Sequence, residues 1–158
     1  MISIDIAGHR FQLRAAAVVL HDGHVLLHRV EGGDDLFWFL PGGRVEPGED
    51  AQSALEREMK EELNERVECA GLLHVVENFF EHEGKRNHEI GLYFRVELDP
   101  KSVLLDKSRS HAGVEADKRL EFRWFATDRL HEVDLRPSFL CESLSRRHLD
   151  FQHIVQRG

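Results

Sequence analysis

Three glutamates, Glu58, Glu61 and Glu62, stand at i, i+3 and i+4 within Gly43–Glu65, GRVEPGEDAQSALEREMKEELNE. The spacing predicts a helix from about Asp50 to Leu63, with an acidic first turn suited to the macrodipole and Asn64 able to turn left-handed just past the end. At ~100° per residue with Ala51 at zero, Leu55, Met59 and Leu63 fall between ~40° and ~120°, and Ala54 at ~300°, which defines the buried arc. Glu58 at ~340° and Glu62 at ~20° fall inside that arc, with Glu61 at ~280° on its edge. Most acidic helices simply face solvent. Here the carboxylates aim at a core-facing stripe, where they would repel one another and lose hydration at a cost of several kcal/mol per ion. A hard divalent cation such as Mg²⁺, with Mn²⁺ as its substitute, compensates them, binding through a few carboxylates plus substrate phosphates. Arg57 can hydrogen-bond one carboxylate and fix its rotamer.

The flanking elements must hold this helix. Phe11–Leu20 reads as a central strand, apolar on both faces, and His21-Asp22-Gly23 as the turn of a hairpin into His24–Val30. Leu36–Leu40 reads as a short aromatic strand ended by Pro41-Gly42-Gly43. Val67–Phe80 and His88–Leu98 form a second hairpin around the polar tip Glu81–Asn87. Pro100 to about Arg119 reads as a long functional loop, Glu121–Ala126 as a strand, and Pro137–Arg147 as a helix opening on proline. Trp38 and Trp124 belong to the core. Strands on both sides of a central helix, with a second helix near the end, imply one α/β domain over residues 1–158 with a mixed sheet.

Gly43, Glu49 and Arg57-Glu58-Met59-Lys60-Glu61-Glu62, entered through Trp38-Phe39-Leu40-Pro41-Gly42-Gly43, together resemble the signature of the Nudix hydrolases. That family comprises pyrophosphohydrolases that cleave a nucleoside diphosphate linked to a further group. The resemblance implies a Nudix-type α/β/α sandwich and an Mg²⁺-dependent attack of water on phosphorus. It makes Glu58, Glu61 and Glu62 metal ligands, with the Gly43 carbonyl a further one, and has Glu49, Arg57 and Gly42 support the site. The general base is Glu58, or an acid from a later loop, for which Glu115, Asp117 and Glu121 are candidates. Two positions depart from the signature: Asn64 stands for glycine and can supply the same positive φ, and Glu65 stands for an aliphatic residue, a role Val67 can take over.

Substrate recognition falls to residues outside the signature. Asn78-Phe79-Phe80 and Tyr93-Phe94 can stack a base or ribose, although aromatic residues in long strands are more often core. Lys85, Arg86, Lys107 and Arg109 can meet a distal phosphate, and His88-Glu89 can face the site. The eleven histidines form no zinc pattern. Cys69 and Cys141 are too few and too far apart for a disulfide framework. No apolar run approaches the ~18 residues of a membrane span, and the N-terminus lacks a signal-peptide layout, so the expected location is cytoplasmic.

The net charge is −8, the wrong sign for a nucleic-acid polymer. Gly43–Glu65 holds eight acids and three bases, a balance of −5, and the rest of the chain carries −3. The acidity is therefore mostly one cluster, a seat for cations that bring in a small phosphorylated, nucleotide-derived substrate. The expected partners are that substrate and, as an assembly to consider, a second copy in a homodimer. Two competing readings are a nucleotide-binding sensor domain that has lost turnover, and an isoprenoid-diphosphate isomerase, which would need a cysteine near the site.

Overall fold

The structure, a computed structural model, describes residues 1–33 and 36–158. Its strands are β1 (Ser3–Ile6), β2 (His9–His21), β3 (His24–Val30), β4 (Gly42–Arg44), β5 (Val67–His82), β6 (Lys85–Leu98), β7 (His111–Glu115), β8 (Lys118–Ala126) and β9 (Gln152–Arg157). Helix α1 (Ala51–Leu63) joins β4 to β5, and the short α2 (Leu140–Ser143) precedes β9. The sheet runs β7-β8-β3-β2-β6-β5-β9, with β1 and β4 also paired to β2. It is mixed: β2 runs parallel to β6 and β5 to β9, while the other pairs are antiparallel.

The alanine-rich centre of β2 explains how a helix can lie close on one side. Ala15, Ala17 and Val19 point into a core shared with Ala54, Leu55 and Met59 of α1 and with Phe122 and Trp124 of β8. Ala16 and Val18 point the other way, into a core with Trp38, Leu40, Tyr93, Leu140 and Leu144. Period-two alternation in one strand thus feeds both layers. Each side of the sheet carries a helix, as the sandwich expectation required.

Helix α1 keeps its expected bounds but not its acidic first turn, which is Ala51-Gln52-Ser53. Asp50 instead caps the helix, its Oδ1 accepting from the Ser53 N–H at 2.8 Å. Asn64 ends it at φ 54° and donates its N–H to the Lys60 carbonyl at 2.9 Å. A left-handed residue with a Cβ carries strain that glycine lacks. Asn64→Gly is therefore expected to hold or raise the melting temperature, and Asn64→Ala to cost ~1 kcal/mol; equal losses in thermal denaturation would contradict this.

Several expectations are corrected. Leu36–Leu40 forms no strand; Phe39 and Trp38 make single bridges to His28 and Leu135, because Pro41 lacks a donor and Arg14 Nη2 takes the Leu40 carbonyl at 2.9 Å. The stretch from Pro100 to Arg119 is not one loop, since it folds a 3₁₀ turn at Val103–Leu105 and strand β7. Gly113 allows that strand to sit against α1, where a Cβ would lie 2.6 Å from the Phe122 ring and 2.8 Å from the Glu62 carbonyl oxygen. The helix over Pro137–Arg147 shrinks to Leu140–Ser143, as Ser145 Oγ takes the Glu142 carbonyl at 2.7 Å. The tip of the second hairpin narrows to Glu83-Gly84, both at positive φ. Strands β1 and β9 were not expected; in β9 the burial alternates along a largely polar sequence.

Candidate active site

Strand β4, which opens on Gly42 and Gly43, and α1 bring the signature residues together. Gly42 lies at φ 150°, and a Cβ there would come within 2.8 Å of Ala16 Cα. At Gly43 a Cβ would stand 2.6 Å from both carboxylate oxygens of Glu58. The Glu58 carboxylate therefore occupies the open face that Gly43 leaves.

Arg57 organises the acids around it. Its Nε and Nη2 donate to the two oxygens of Glu49 at 2.9 and 3.0 Å, a bidentate pair. Its Nη1 donates to Glu58 Oε1 at 3.0 Å and to Glu61 Oε2 at 3.3 Å. Accepting from Arg57 holds the Glu49 carboxyl below its ordinary range, and donating to Glu49, then to Glu58, raises the guanidinium's own pKa.

Glu62 differs from the others. It is 3% exposed, and among the described residues neither carboxylate oxygen has a hydrogen-bond partner. Burial first, then the charge of Glu58, pushes its carboxyl up to about 9. An acid in that position either keeps its proton or meets a cation. Glu61 is 60% exposed at its side chain and turned to Arg57. As the side chains stand, no three potential ligands converge on one point among the described residues. Even so, two orphaned buried oxygens beside a second carboxylate, on a backbone opened by glycine, make a donor set suited to a hard divalent cation.

Beside this cluster opens a cleft of about 470 Å³. Arg14 and Glu115 line it, and both act electrostatically on Glu62. Of the expected substrate residues, Phe80 and Glu89 line the cleft, together with Asn78 and Tyr93. The others sit elsewhere. Phe79 packs on His88 with ring centroids 4.5 Å apart and lies under Arg157. Lys85 Nζ pairs with Asp5 at 2.8 Å, and Arg86 lies beside Gly8. Lys107 sits over Trp124, and Arg109 pairs with Asp106. Glu121 is held by Arg29 at 3.1 Å and Arg123 at 2.8 Å, which leaves Glu115 as the later-loop candidate that borders the cleft.

Gln12, His28 and the roof residues Phe37, Phe39 and Arg136 were not anticipated. The signal for the first was present: Gln12 and Arg14 are polar residues at alternate positions of an apolar strand. Burial, then Arg14, lowers the His28 pKa to about 3, so the ring is neutral.

A family model described as a NUDIX domain matches residues 11–140. Among curated proteins the chain is similar to "Nucleoside triphosphatase NudI" of Enterobacter sp. (strain 638), 41% identical over 58 residues, or 35% of this chain and 41% of that protein. It is also similar to "8-oxo-dGDP phosphatase NUDT18" of Homo sapiens, 52% identical over 40 residues, 25% of this chain and 12% of that one. The matches thus span less than half of either relative. Among solved structures, a NUDIX hydrolase from Nitrosomonas europaea superposes with a TM-score of 0.65 at 21% identity, over 93% of this chain and 79% of that chain. At that identity the likeness concerns the fold.

Proposed function

The chain belongs to the NUDIX domain family, whose model spans most of it, and from that premise we propose that it is a Mg²⁺-dependent hydrolase of the diphosphate linkage in a nucleotide or nucleoside diphosphate conjugate. The observation that carries this reading is Glu62, a buried carboxylate with two unpartnered oxygens on the same helix as Glu58 and Glu61. These three glutamates and the Gly43 carbonyl would hold the metal. Bound Mg²⁺ supplies charge neutralisation at the phosphate oxygens and lowers the pKa of water.

The chain's own residues do the rest. Glu58, fixed by Arg57 and seated on Gly43, takes the proton of the attacking water. Glu115 is the competing acceptor, and comparing the pH–rate profiles of Glu115→Gln and the parent protein separates the two. Arg57 is a positioning residue: with Glu49 it ties α1 to the preceding loop and sets the direction of Glu58. Two unpaired cysteines suit a cytoplasmic enzyme, and among the described residues no helix is long and apolar enough to cross a membrane.

The isomerase alternative needs a reactive thiol. Cys69 lies on β5, its pKa pushed up to about 11 by burial, and Cys141 lies in α2; neither borders the cleft. The test is a panel of nucleoside triphosphates, nucleotide sugars and dinucleotides, with and without Mg²⁺, and products identified. Hydrolysis at a phosphoanhydride only with metal is expected. Mg²⁺ plus a non-hydrolysable nucleotide should also raise the melting temperature, by ~2.7 kcal/mol of stability at a hundredfold excess over Kd. Binding without turnover across the panel would favour the sensor reading instead.

A further inference from the structure

The cleft floor carries a polar row that no signature residue belongs to. Gln12 on β2 is in register with Glu89 on β6, Glu89 with Asn78 on β5, and Asn78 with Gln156 on β9. Four adjacent strands thus present amide, carboxylate, amide and amide side by side, and all four line the same cleft. Gln12, Asn78 and Glu89 are 6%, 7% and 6% exposed, well sheltered for groups of this polarity.

The hydrogen bonds within the row show what it lacks. Gln12 Nε2 donates to Glu89 Oε2 at 2.5 Å, which fixes the carboxylate. Gln156 Oε1 accepts from the Phe139 N–H at 3.2 Å. Among the described residues Gln12 Oε1 is buried without a partner, and Glu89 is held through its Oε2. A sheltered carboxylate calls for donors, and an amide beside it can give one as well as take one. Phosphate offers neither, and the cleft's arginines are already engaged: Arg29 with Glu121, Arg136 with Asp134, and Arg14 with the Leu40 carbonyl. Above the row, Phe37 and Phe39 pack edge to face at 4.7 Å, an apolar roof against which a flat ring can lie.

This deepens the hydrolase reading and rests on the cleft being the nucleotide's seat. We propose that the row reads a purine edge with two adjacent N–H donors beside a carbonyl, the edge of guanine, and so sets a preference for guanine nucleotides. Glu89 takes the two N–H groups and the Asn78 amide nitrogen donates to the carbonyl. Adenine would instead turn a ring-nitrogen lone pair toward Glu89, and uracil would present one N–H between two carbonyls. A site built around a carboxylate penalises both, since its own group is then left unpaired.

The test uses the full chain with Mg²⁺ and GTP, ITP, ATP and UTP, and separately metal-free calorimetry with guanosine and adenosine. KM for GTP is expected to be ~10-fold or more below that for ATP and UTP, with ITP, which lacks the second donor, between them. In Glu89→Gln, which keeps an acceptor for Gln12, that preference should collapse, KM for GTP rising toward the values for ATP and UTP. Asn78→Ala should weaken GTP and ITP alike. Equal KM across the bases in an active enzyme, or an unchanged preference in Glu89→Gln, overturns the assignment and leaves the hydrolase reading standing. Tighter binding of guanosine than adenosine without hydrolysis of any nucleotide supports the row and overturns the hydrolase reading.

Discussion

Glu62→Gln is expected to lower Mg²⁺-dependent hydrolysis by ~10²-fold or more, and at the same time to make the metal-free protein more stable at neutral and alkaline pH. Both effects follow from one side chain. In the metal-free protein a buried carboxyl without donors keeps its proton to about 9, whereas the unfolded chain releases it near the ordinary glutamate pKa of ~4.3. The folded pKa is the higher one, so the associated stability is fully present below the unfolded value and is lost as pH rises through the folded value. The slope is at most ~1.4 kcal/mol per pH unit, and less as the site relaxes. Glutamine carries no ionisable proton, so the variant's melting temperature should be flatter across that window. Mg²⁺ should restore the parent protein at high pH and do little for the variant. A folded Glu62→Gln protein with full activity would sink the metal assignment, and one with the parent's pH dependence would show that Glu62 is not the group whose proton is lost.

Gly43→Ala should have the second-largest effect, by a different route. A methyl group there would stand 2.6 Å from both oxygens of Glu58, so the carboxylate has to leave the position where Arg57 holds it. Forced crowding of this kind typically costs ~1–3 kcal/mol, and the local shift should cost ~10²-fold in kcat. Arg57 would keep its bidentate grip on Glu49, so the helix stays tied down and the damage concentrates on Glu58. Circular dichroism and steady-state kinetics on the same preparation check this. A folded variant with parental kcat would show that Glu58 does not need the space at Gly43.

What could be read from the amino-acid order was whatever a single helix or turn decides. The arc containing Glu58 and Glu62 follows from helical spacing alone, as does the Asn64 end, and burial of Glu62 agrees with it. The side-chain choice of Glu61 does not follow, because Arg57 competes for it from one turn earlier. The cleft floor was hidden for a different reason: its row is a matter of register between strands, and Gln12 and Glu89 lie 77 residues apart. Their place at a hairpin tip makes Lys85 and Arg86 read as substrate residues. The pairing of Lys85 with Asp5, and the place of Arg86 beside Gly8, depend on β1, whose short polar-apolar sequence gave no warning. Strand β9 was missed because Gln152, His153, Gln156 and Arg157 mask its alternation.

The parallel pairing of β2 with β6 also bears on how the molecule assembles. Such a pairing must close a long intervening stretch of chain before any contact repays the lost entropy, and topologies of this kind fold slowly, on the order of milliseconds to seconds. Helix α1 lies within that stretch. With 13 residues it is marginal in isolation, and its clustered acids weaken it further until the alanine face of β2 and the strands beyond it are in place. The acidic seat is therefore a late product of folding: the chain must settle a long-range parallel strand pairing before it has anywhere to put a cation.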